Sequence, residues 1–326
     1  MLFNRRNFIQ STLITVGATS LGIHAQQAWP ERPVKFVVPF AAGGGADVAT
    51  RMLADQLRVI WNSGTVIVDN KTGANSAIAV NNVLNSPRDG YTFLTTVGLT
   101  MQLPYLGQKV NFEPMTELIP VSLLTIEQLV LVVNTNSGIQ NFAGLVSAMK
   151  ANPKGISFGT FGAGSTPHLV AAQMANSLNQ KIEPIHYRGA APAVQALLSG
   201  EVQVAMSNLG VVQQHVAAGK AKVIAVTGTK RYRFIPEVPT FAELGIPDLD
   251  MVTWIGVFAA KGTPPNMIRK LSEDMQKALA TPELVARFHG FYVEPGGYSL
   301  TEFQNLVKSD DELASRLIRK HQIRIE

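Results

Sequence analysis

The chain has 326 residues, contains no cysteine and carries a formal charge of +5 at pH 7. The lack of cysteine excludes disulfides, thiolate metal sites and a cysteine nucleophile. The length and the 46% hydrophobic content favour two domains with self-sufficient cores. Because the lysines and arginines are scattered, we expect no nucleic-acid partner.

The first 25 residues are typical of an export signal. Arg5 and Arg6 precede an uncharged, mostly apolar stretch at residues 11–23, which is too short to span a membrane. Ile23-His24-Ala25 offers a signal-peptidase site. We predict a twin-arginine-like signal peptide at residues 1–25 and a periplasmic mature chain, with an ordinary Sec signal as the alternative.

Strand and helix patterns alternate along the rest of the chain. A strand at residues 34–40, an amphipathic helix, and strands at 65–68 and 91–95 form a first series. A second series has predicted strands at 129–133, 156–158, 182–187, 202–206 and 223–227, and the tail from Pro264 onward is helical. The alternation predicts α/β layers with mainly parallel sheets.

A glycine-rich turn follows the first strand. Gly43, Gly44 and Gly45 let a ligand approach the backbone closely, and Asp47 is predicted to cap the next helix. The free N–H groups and positive dipole end of that helix favour an anion. Val48 stands where a dinucleotide-binding loop requires Gly or Ala, so the turn indicates a carboxylate rather than a nucleotide.

A second loop, at residues 159–166, also precedes a predicted helix. Thr160, Ser165 and Thr166 supply hydroxyl groups suited to an oxyanion, and Pro167 suits the first helical position. The same hydroxyls suit helix capping, which is compatible with ligand binding. Two such loops facing each other predict a cleft between two lobes.

Catalytic signals are poor in the mature chain. The sequence has no G-x-S-x-G or H-E-x-x-H motif, and His168 lies three residues after Ser165 without a recognisable third group. Arg188 suits a carboxylate clamp or a surface position equally. Phe40, with other aromatic residues near the loops, suits a pocket wall. We expect a non-enzyme without cofactor or metal.

Several motifs together resemble one family. Trp29-Pro30-Glu31-Arg32-Pro33-Val34 and the turn at residues 38–47 are followed by Val68-Asp69-Asn70-Lys71-Thr72-Gly73-Ala74, Pro87-Arg88-Asp89-Gly90-Tyr91-Thr92, Pro184-Ile185-His186-Tyr187-Arg188-Gly189, Glu237-Val238-Pro239-Thr240 and Ala260-Lys261-Gly262-Thr263-Pro264. Spread over the mature chain, they resemble the Bug-type receptors, the extracytoplasmic substrate-binding proteins of tripartite tricarboxylate transporters.

The resemblance implies a periplasmic-binding-protein type II (Venus flytrap) fold of two Rossmann-like lobes around a cleft. Lobe 1 is predicted at residues 29–125 plus 252–326, lobe 2 at 126–251, and the hinge near 124–129 and 251–255. The ligand-binding residues predicted in the first lobe are Phe40, Ala42, Gly43, Gly44, Gly45, Asp47, Thr95, Thr96 and Gly98. Those predicted in the second lobe are Thr160, Gly162, Gly164, Ser165, Thr166, His168, Tyr187, Arg188, Gly189, Ser207 and Asn208.

Two departures concern the ligand rather than the fold: Ser207 stands where many relatives carry Asp, and Ala190 replaces a common Gly. We expect a monomeric periplasmic receptor that captures a small carboxylate, an organic acid or amino acid, for membrane subunits of the tripartite tricarboxylate type. The alternatives are an exported serine hydrolase using Ser165 and His168, and a cofactor-carrying redox protein.

Overall fold

The structure is a computed structural model that describes residues 29–62 and 65–325. The predicted signal peptide at residues 1–25 lies outside the described residues. In the described part of the chain, every helix is too short or too polar to cross a membrane.

Strands and helices alternate over the described residues much as the sequence patterns predict. The strands are β1 Val34–Val38, β2 Val66–Asn70, β3 Thr92–Val97, β4 Leu118–Glu127, β5 Leu129–Asn134, β6 Ile156–Thr160, β7 Ile182–His186, β8 Val204–Asn208, β9 Ala221–Val226, β10 Thr253–Ala260 and β11 Glu294–Pro295. The helices are α1 Gly45–Ile60, α2 Ala77–Leu84, α3 Gly98–Gln102, α4 Pro114–Glu117, α5 Phe142–Ala151, α6 Thr166–Leu178, α7 Ala190–Ser199, α8 Leu209–Ala217, α9 Pro265–Leu279, α10 Pro282–His289 and α11 Leu300–Lys320.

The strands form two sheets, one in each lobe, with the orders β11-β4-β10-β3-β1-β2 and β7-β6-β8-β5-β9. Strands β1, β2 and β3 pair in parallel, as do β6, β7 and β8. Strands β10 and β5 pair antiparallel with both of their neighbours. The prediction of mainly parallel sheets is therefore wrong, because strands on either side of the lobe crossings join each sheet in the opposite direction.

Helices cover both faces of each sheet and bury its apolar side chains. In the first lobe, Leu53 and Leu57 of α1 pack in one cluster with Phe36 of β1. In the second lobe, Phe158 of β6 packs in one cluster with Leu169 of α6. Each such side chain contributes roughly 1.5–3 kcal/mol on burial, so the cores hold the strand ends, and the loops that follow them, in fixed positions.

The chain passes directly from the first sheet to the second through one residue. Gln128 lies between β4 and β5, and its side-chain amide donates to the carbonyls of Thr227 and, at 2.6 Å, Lys230. The chain returns between β9 and β10, where Thr253 pairs with Glu127 in register. Glu127 is thus the last residue of the first sheet at the crossing.

Helix α11 contacts the cores of both lobes. Its N-terminus carries a capping box between Ser299 and Glu302, and Phe303 packs in the first lobe beside β10. Leu317 and Ile318, further along the same helix, belong to the core cluster of the second lobe. The last helix therefore joins the lobes in addition to the two strand crossings.

Candidate functional site

Two adjoining chambers lie between the lobes, with volumes of about 590 and 380 Å³. Gly45, Thr125, Glu127, Asn208 and Ile255 line both chambers. The first and last of these lie in the first lobe and Asn208 in the second, so the shared wall lies at the lobe boundary. Chambers of this size suit a small organic ligand.

Helix starts surround the larger chamber because the parallel strands of both sheets end at the cleft. Among the described residues, five helices begin there: α1 at Gly45, α3 at Gly98, α6 at Thr166, α7 at Ala190 and α8, whose N-cap is Asn208. The first N–H groups of a helix have no partner within the helix and carry its positive dipole end. The larger chamber is therefore suited to an anion.

An ionic network holds the glycine-rich turn of the first lobe. The buried carboxylate of Asp47 accepts from the Gly43 N–H at 2.8 Å and from the Asn70 amide at 2.9 Å. It also forms an ion pair with Arg51 at 2.9 Å. Burial alone would raise the pKa of Asp47, but the bonds from Arg51, Gly43 and Asn70 outweigh burial and lower it.

The structure corrects the role predicted for Asp47. Helix α1 begins at Gly45 with Gly44 as N-cap, so Asp47 lies inside the first turn instead of capping it. Its side chain reaches back to the preceding turn, and no side chain among the described residues caps α1. The opening N–H groups of α1 consequently stay available at the junction of the two chambers.

Neutral hydrogen bonds hold the second-lobe loop. The Ser165 hydroxyl donates to the Gly162 carbonyl at 2.7 Å, and the Gly164 N–H donates to Nδ1 of His168 at 3.1 Å. Thr160 Oγ1 lies 2.7 Å from Nδ1 of His186. Burial, with a smaller contribution from neighbouring His186, lowers the pKa of His168 to about 4. His168 is therefore neutral at physiological pH and supports the loop.

The structure brings about half of the predicted ligand-binding residues to the chamber walls. Those on a wall are Phe40, Gly43, Gly44, Gly45, Gly98, Ser165, Thr166, Arg188, Gly189 and Asn208. Those away from both walls are Ala42, Asp47, Thr95, Thr96, Thr160, Gly162, Gly164, His168, Tyr187 and Ser207. Of the second group, Asp47 and Gly162 hold wall residues directly, through the bonds to Gly43 and Ser165, and His168 holds Gly164 within the same loop.

Three residues of the second group lie away from the walls for clear reasons. Thr95 and Thr96 are fully buried because β3 continues to Val97 between β1 and β10. The Tyr187 hydroxyl donates to Glu201 at 2.6 Å. None of the three side chains contacts the space that a ligand would fill.

Two acidic residues on the chamber walls were not predicted from the sequence. Burial raises the pKa of Glu127 to about 7, although a hydrogen bond from Asn208 opposes the shift. Burial likewise raises the pKa of Asp310 to about 7, opposed by the Trp254 indole N–H at 3.1 Å and reinforced by Asp311. Glu127 had a detectable signal, since it is the one charged residue in the apolar run 118–133.

Gly98 has a steric role beside Asp310. A Cβ at this position would lie 2.8 Å from the Asp310 carboxylate and 3.3 Å from the Trp254 ring. Any larger residue here would push the Asp310 carboxylate away from the start of α3 and crowd the indole. Among the described residues that line either chamber, Arg188 is the one cationic side chain.

Two α/β lobes that enclose a cleft lined by helix starts have the architecture of a ligand-binding protein. The family model described as "Tripartite tricarboxylate transporter family receptor" matches residues 49–323. The chain belongs to this family, which confirms the resemblance predicted from the sequence.

Relatives and solved structures agree with the family. Protein BugT of Bordetella pertussis is 33% identical over 267 residues, which cover 80% of each chain. R. palustris Rpa4515, solved with adipate, has a TM-score of 0.80 at 28% identity and covers 91% of this chain and 99% of its own. The periplasmic binding protein BugD has a TM-score of 0.76 at 31% identity, with coverages of 91% and 100%. This chain is thus a solute-binding receptor of the periplasmic type.

Proposed function

We propose that this receptor captures a small carboxylate in the larger chamber and delivers it to membrane subunits of a tripartite tricarboxylate transporter. The observation that carries the proposal is the convergence of five helix starts on a chamber with one cationic side chain, Arg188. Backbone N–H groups and one exposed arginine suit an anion that must be released as well as held.

The energetics of such a site suffice for a transport receptor. A hydrogen bond to a charged group contributes roughly 1.5–3 kcal/mol, so about four to six such bonds, after the costs of binding, reach the −8 kcal/mol of micromolar affinity. Backbone donors carry no long side chain that closure would immobilise, which lowers the entropic cost.

A solved relative and the family support the ligand class and the partner. Rpa4515 was solved with adipate, a dicarboxylate, and the family description names a tripartite transporter. We further propose that the mature protein begins after residue 25 in the periplasm and acts as a monomer, without a cofactor or metal. Light scattering of the purified mature protein tests the monomer, and its N-terminal sequence tests the cleavage site.

The predicted division into lobes stays part of the proposal: residues 29–125 plus 252–326, and 126–251. The two sheets agree with boundaries near Gln128 and Thr253. The packing of Leu317 in the core of the second lobe indicates that the end of α11 is shared. Of the predicted site residues, we propose that those on the chamber walls contact the ligand, except Ser165, whose hydroxyl is used within the loop, and that residues away from the walls hold the two loops in place.

Titration calorimetry with mono-, di- and tricarboxylates and amino acids, alongside native mass spectrometry of the protein as purified, tests the ligand class. We expect a carboxylate to bind and Arg188→Gln to weaken it by about tenfold or more. Lys154→Gln is the matched control, because this exposed lysine lies at the opposite end of β6 from the cleft. Binding by another chemical class alone would overturn the proposal.

The hydrolase alternative is disfavoured by the partners of its two residues. The Ser165 hydroxyl donates to Gly162 and Nδ1 of His168 accepts from Gly164, so neither bond pairs the serine with the histidine. We expect a serine-directed covalent probe to leave Ser165 unlabelled and a bound acid to be recovered unchanged. Stoichiometric labelling at Ser165 would favour the enzyme.

A further inference from the structure

The junction of the two chambers is formed by the residues that line both of them, namely Gly45, Thr125, Glu127, Asn208 and Ile255. Thr125 and Glu127 share one face at the end of β4, because alternate residues of a strand point the same way, and Thr125 pairs in register with Ile255 of β10. Asn208 reaches the junction from the end of β8 in the second lobe. The junction therefore places the start of α1 beside three side chains that accept hydrogen bonds.

Glu127 is a mostly buried acid without a cationic partner among the described residues. Burial raises its pKa to about 7, and only the bond from Asn208 acts in the opposite direction. The other charged or titratable groups around it are Arg188 and Asp310 on the wall of the larger chamber, and Tyr232, whose pKa rises through burial and through the proximity of Glu127 and Glu294. An ionised Glu127 therefore lacks the counter-charge that a buried carboxylate requires.

Asp310, the other acid on these walls, has partners within the protein. Its carboxylate accepts from the Trp254 indole N–H at 3.1 Å and lies against the start of α3 at Gly98. Both the indole donor and the positive end of the helix favour its negative charge. Among the described wall residues, Glu127 is thus the acid whose charge is left for a ligand to neutralise.

A negative charge beside an anion-binding helix start has a consequence for the ligand. An ionised Glu127 repels a carboxylate bound at the start of α1, since both lie at the junction. A plain acid binds there only after Glu127 has taken up a proton. A ligand that also carries an ammonium group removes the repulsion, because the ammonium supplies the counter-charge and its three N–H donors match the acceptors on Glu127, Thr125 and Asn208.

From this arrangement we propose that the receptor binds an α-amino acid at the junction, with its carboxylate at the start of α1 and its ammonium on Glu127, Thr125 and Asn208. The inference rests on the proposed function and narrows it. In an α-amino acid both charged groups are attached to one carbon, which suits two subsites on the same stretch of wall. The side chain of the ligand extends into one of the two chambers, where Met52 and Phe161 are among the apolar wall residues.

Calorimetry of the unmutated protein at pH 8, where Glu127 is mostly ionised, tests the inference with the common L-amino acids and with mono-, di- and tricarboxylates. The tightest ligand should be an α-amino acid. Its deaminated analogue, such as glutarate for glutamate or 4-methylpentanoate for leucine, should bind at least about tenfold more weakly. A tightest ligand without an amino group, or an analogue that binds equally tightly, would overturn the inference and leave the proposed function standing. If no carboxylate of either kind bound, the proposed function itself would be refuted.

Glu127→Gln keeps the size of the side chain and removes its charge. This variant should weaken binding of the amino acid by about tenfold or more and leave the deaminated analogue unchanged or improved, a selective effect that a general loss of structure does not produce. Glu183→Gln, at an exposed glutamate of β7, is the matched control and should change neither affinity. Equal losses for the two ligands would overturn the role of Glu127.

The number of protons exchanged on binding gives a second readout. The ligand ammonium favours ionised Glu127, so binding of the amino acid near pH 7 should release protons, and Glu127→Gln should abolish that release. Calorimetry in two buffers with different ionisation enthalpies measures the proton number. Uptake of protons, or no exchange, would mean that the ammonium does not neutralise Glu127 and would overturn the assignment.

Discussion

The two loops that face each other across the cleft perform the same task with different chemistry. In the first lobe, a buried charge holds the turn: Asp47 binds Gly43, Asn70 and Arg51. In the second lobe, neutral groups hold the loop, through His168 and the Ser165 hydroxyl. The difference teaches that a helix start can be kept open for a ligand by an ion pair or by an uncharged network, and the two respond differently to acid.

The largest effect is expected from removing the charge in the first lobe. Asp47→Ala leaves the Gly43 N–H without its acceptor and removes one of the two acceptors of the Asn70 amide, which keeps its bond to the Phe40 carbonyl. The change should lower the free energy of unfolding by about 2–3 kcal/mol. Chemical denaturation measures the loss. The control is Asp55→Ala on the same helix, whose ion pair with Arg58 is exposed and should contribute less than about 1 kcal/mol. Equal effects of the two changes would mean that the buried network does not hold the turn.

The second effect concerns pH, because the two loops lose their contributions to stability in different pH ranges. Because the pKa of His168 falls from 6.5 to about 4 on folding, the unfolded chain takes up a proton first as the pH falls. Stability should therefore decline between those two pH values, by about 2 kcal/mol in total once the full shift is discounted for the partial exposure of His168, and His168→Gln should flatten the decline. Asp47, whose pKa is lowered below 3.8, loses its contribution only in stronger acid. Melting temperatures across this range check the prediction, and an unchanged slope in the variant would contradict it.

The smallest effect is expected in the second-lobe loop. It distinguishes a side chain that contacts the ligand from one that holds the loop in place. Thr166→Val keeps the shape of a chamber-lining side chain and removes its hydroxyl, so binding should weaken by about threefold to tenfold with little change in stability. Ser165→Ala should instead lower stability by about 1 kcal/mol, because it removes the bond to Gly162. Calorimetry and thermal melts on both variants provide the comparison. If Ser165→Ala weakened binding and Thr166→Val lowered stability, the two roles would have to be exchanged.

Both loops could be predicted from the sequence, because glycine, serine and threonine beside a helix start are local signals. The antiparallel pairing of β10 could not be predicted, since it depends on a partner strand more than a hundred residues away. The burial of Thr95 likewise follows from neighbouring strands on both sides. Glu127 gave a local signal, a lone charge in an apolar run, whereas Asp310 lies among other acids on α11 and becomes distinctive only through Trp254 and Gly98.

Helix α11 and the absence of cysteine together allow a dye to be attached at a single chosen position of this receptor. The helix has side chains in both cores, so a change in the angle between the lobes must shift its packing in at least one of them. Any cysteine introduced by mutation is the only thiol in the chain. The side chain of Lys308 on α11 is 75% exposed. The fluorescence of a dye attached through Lys308→Cys would therefore report ligand binding from one known position on α11.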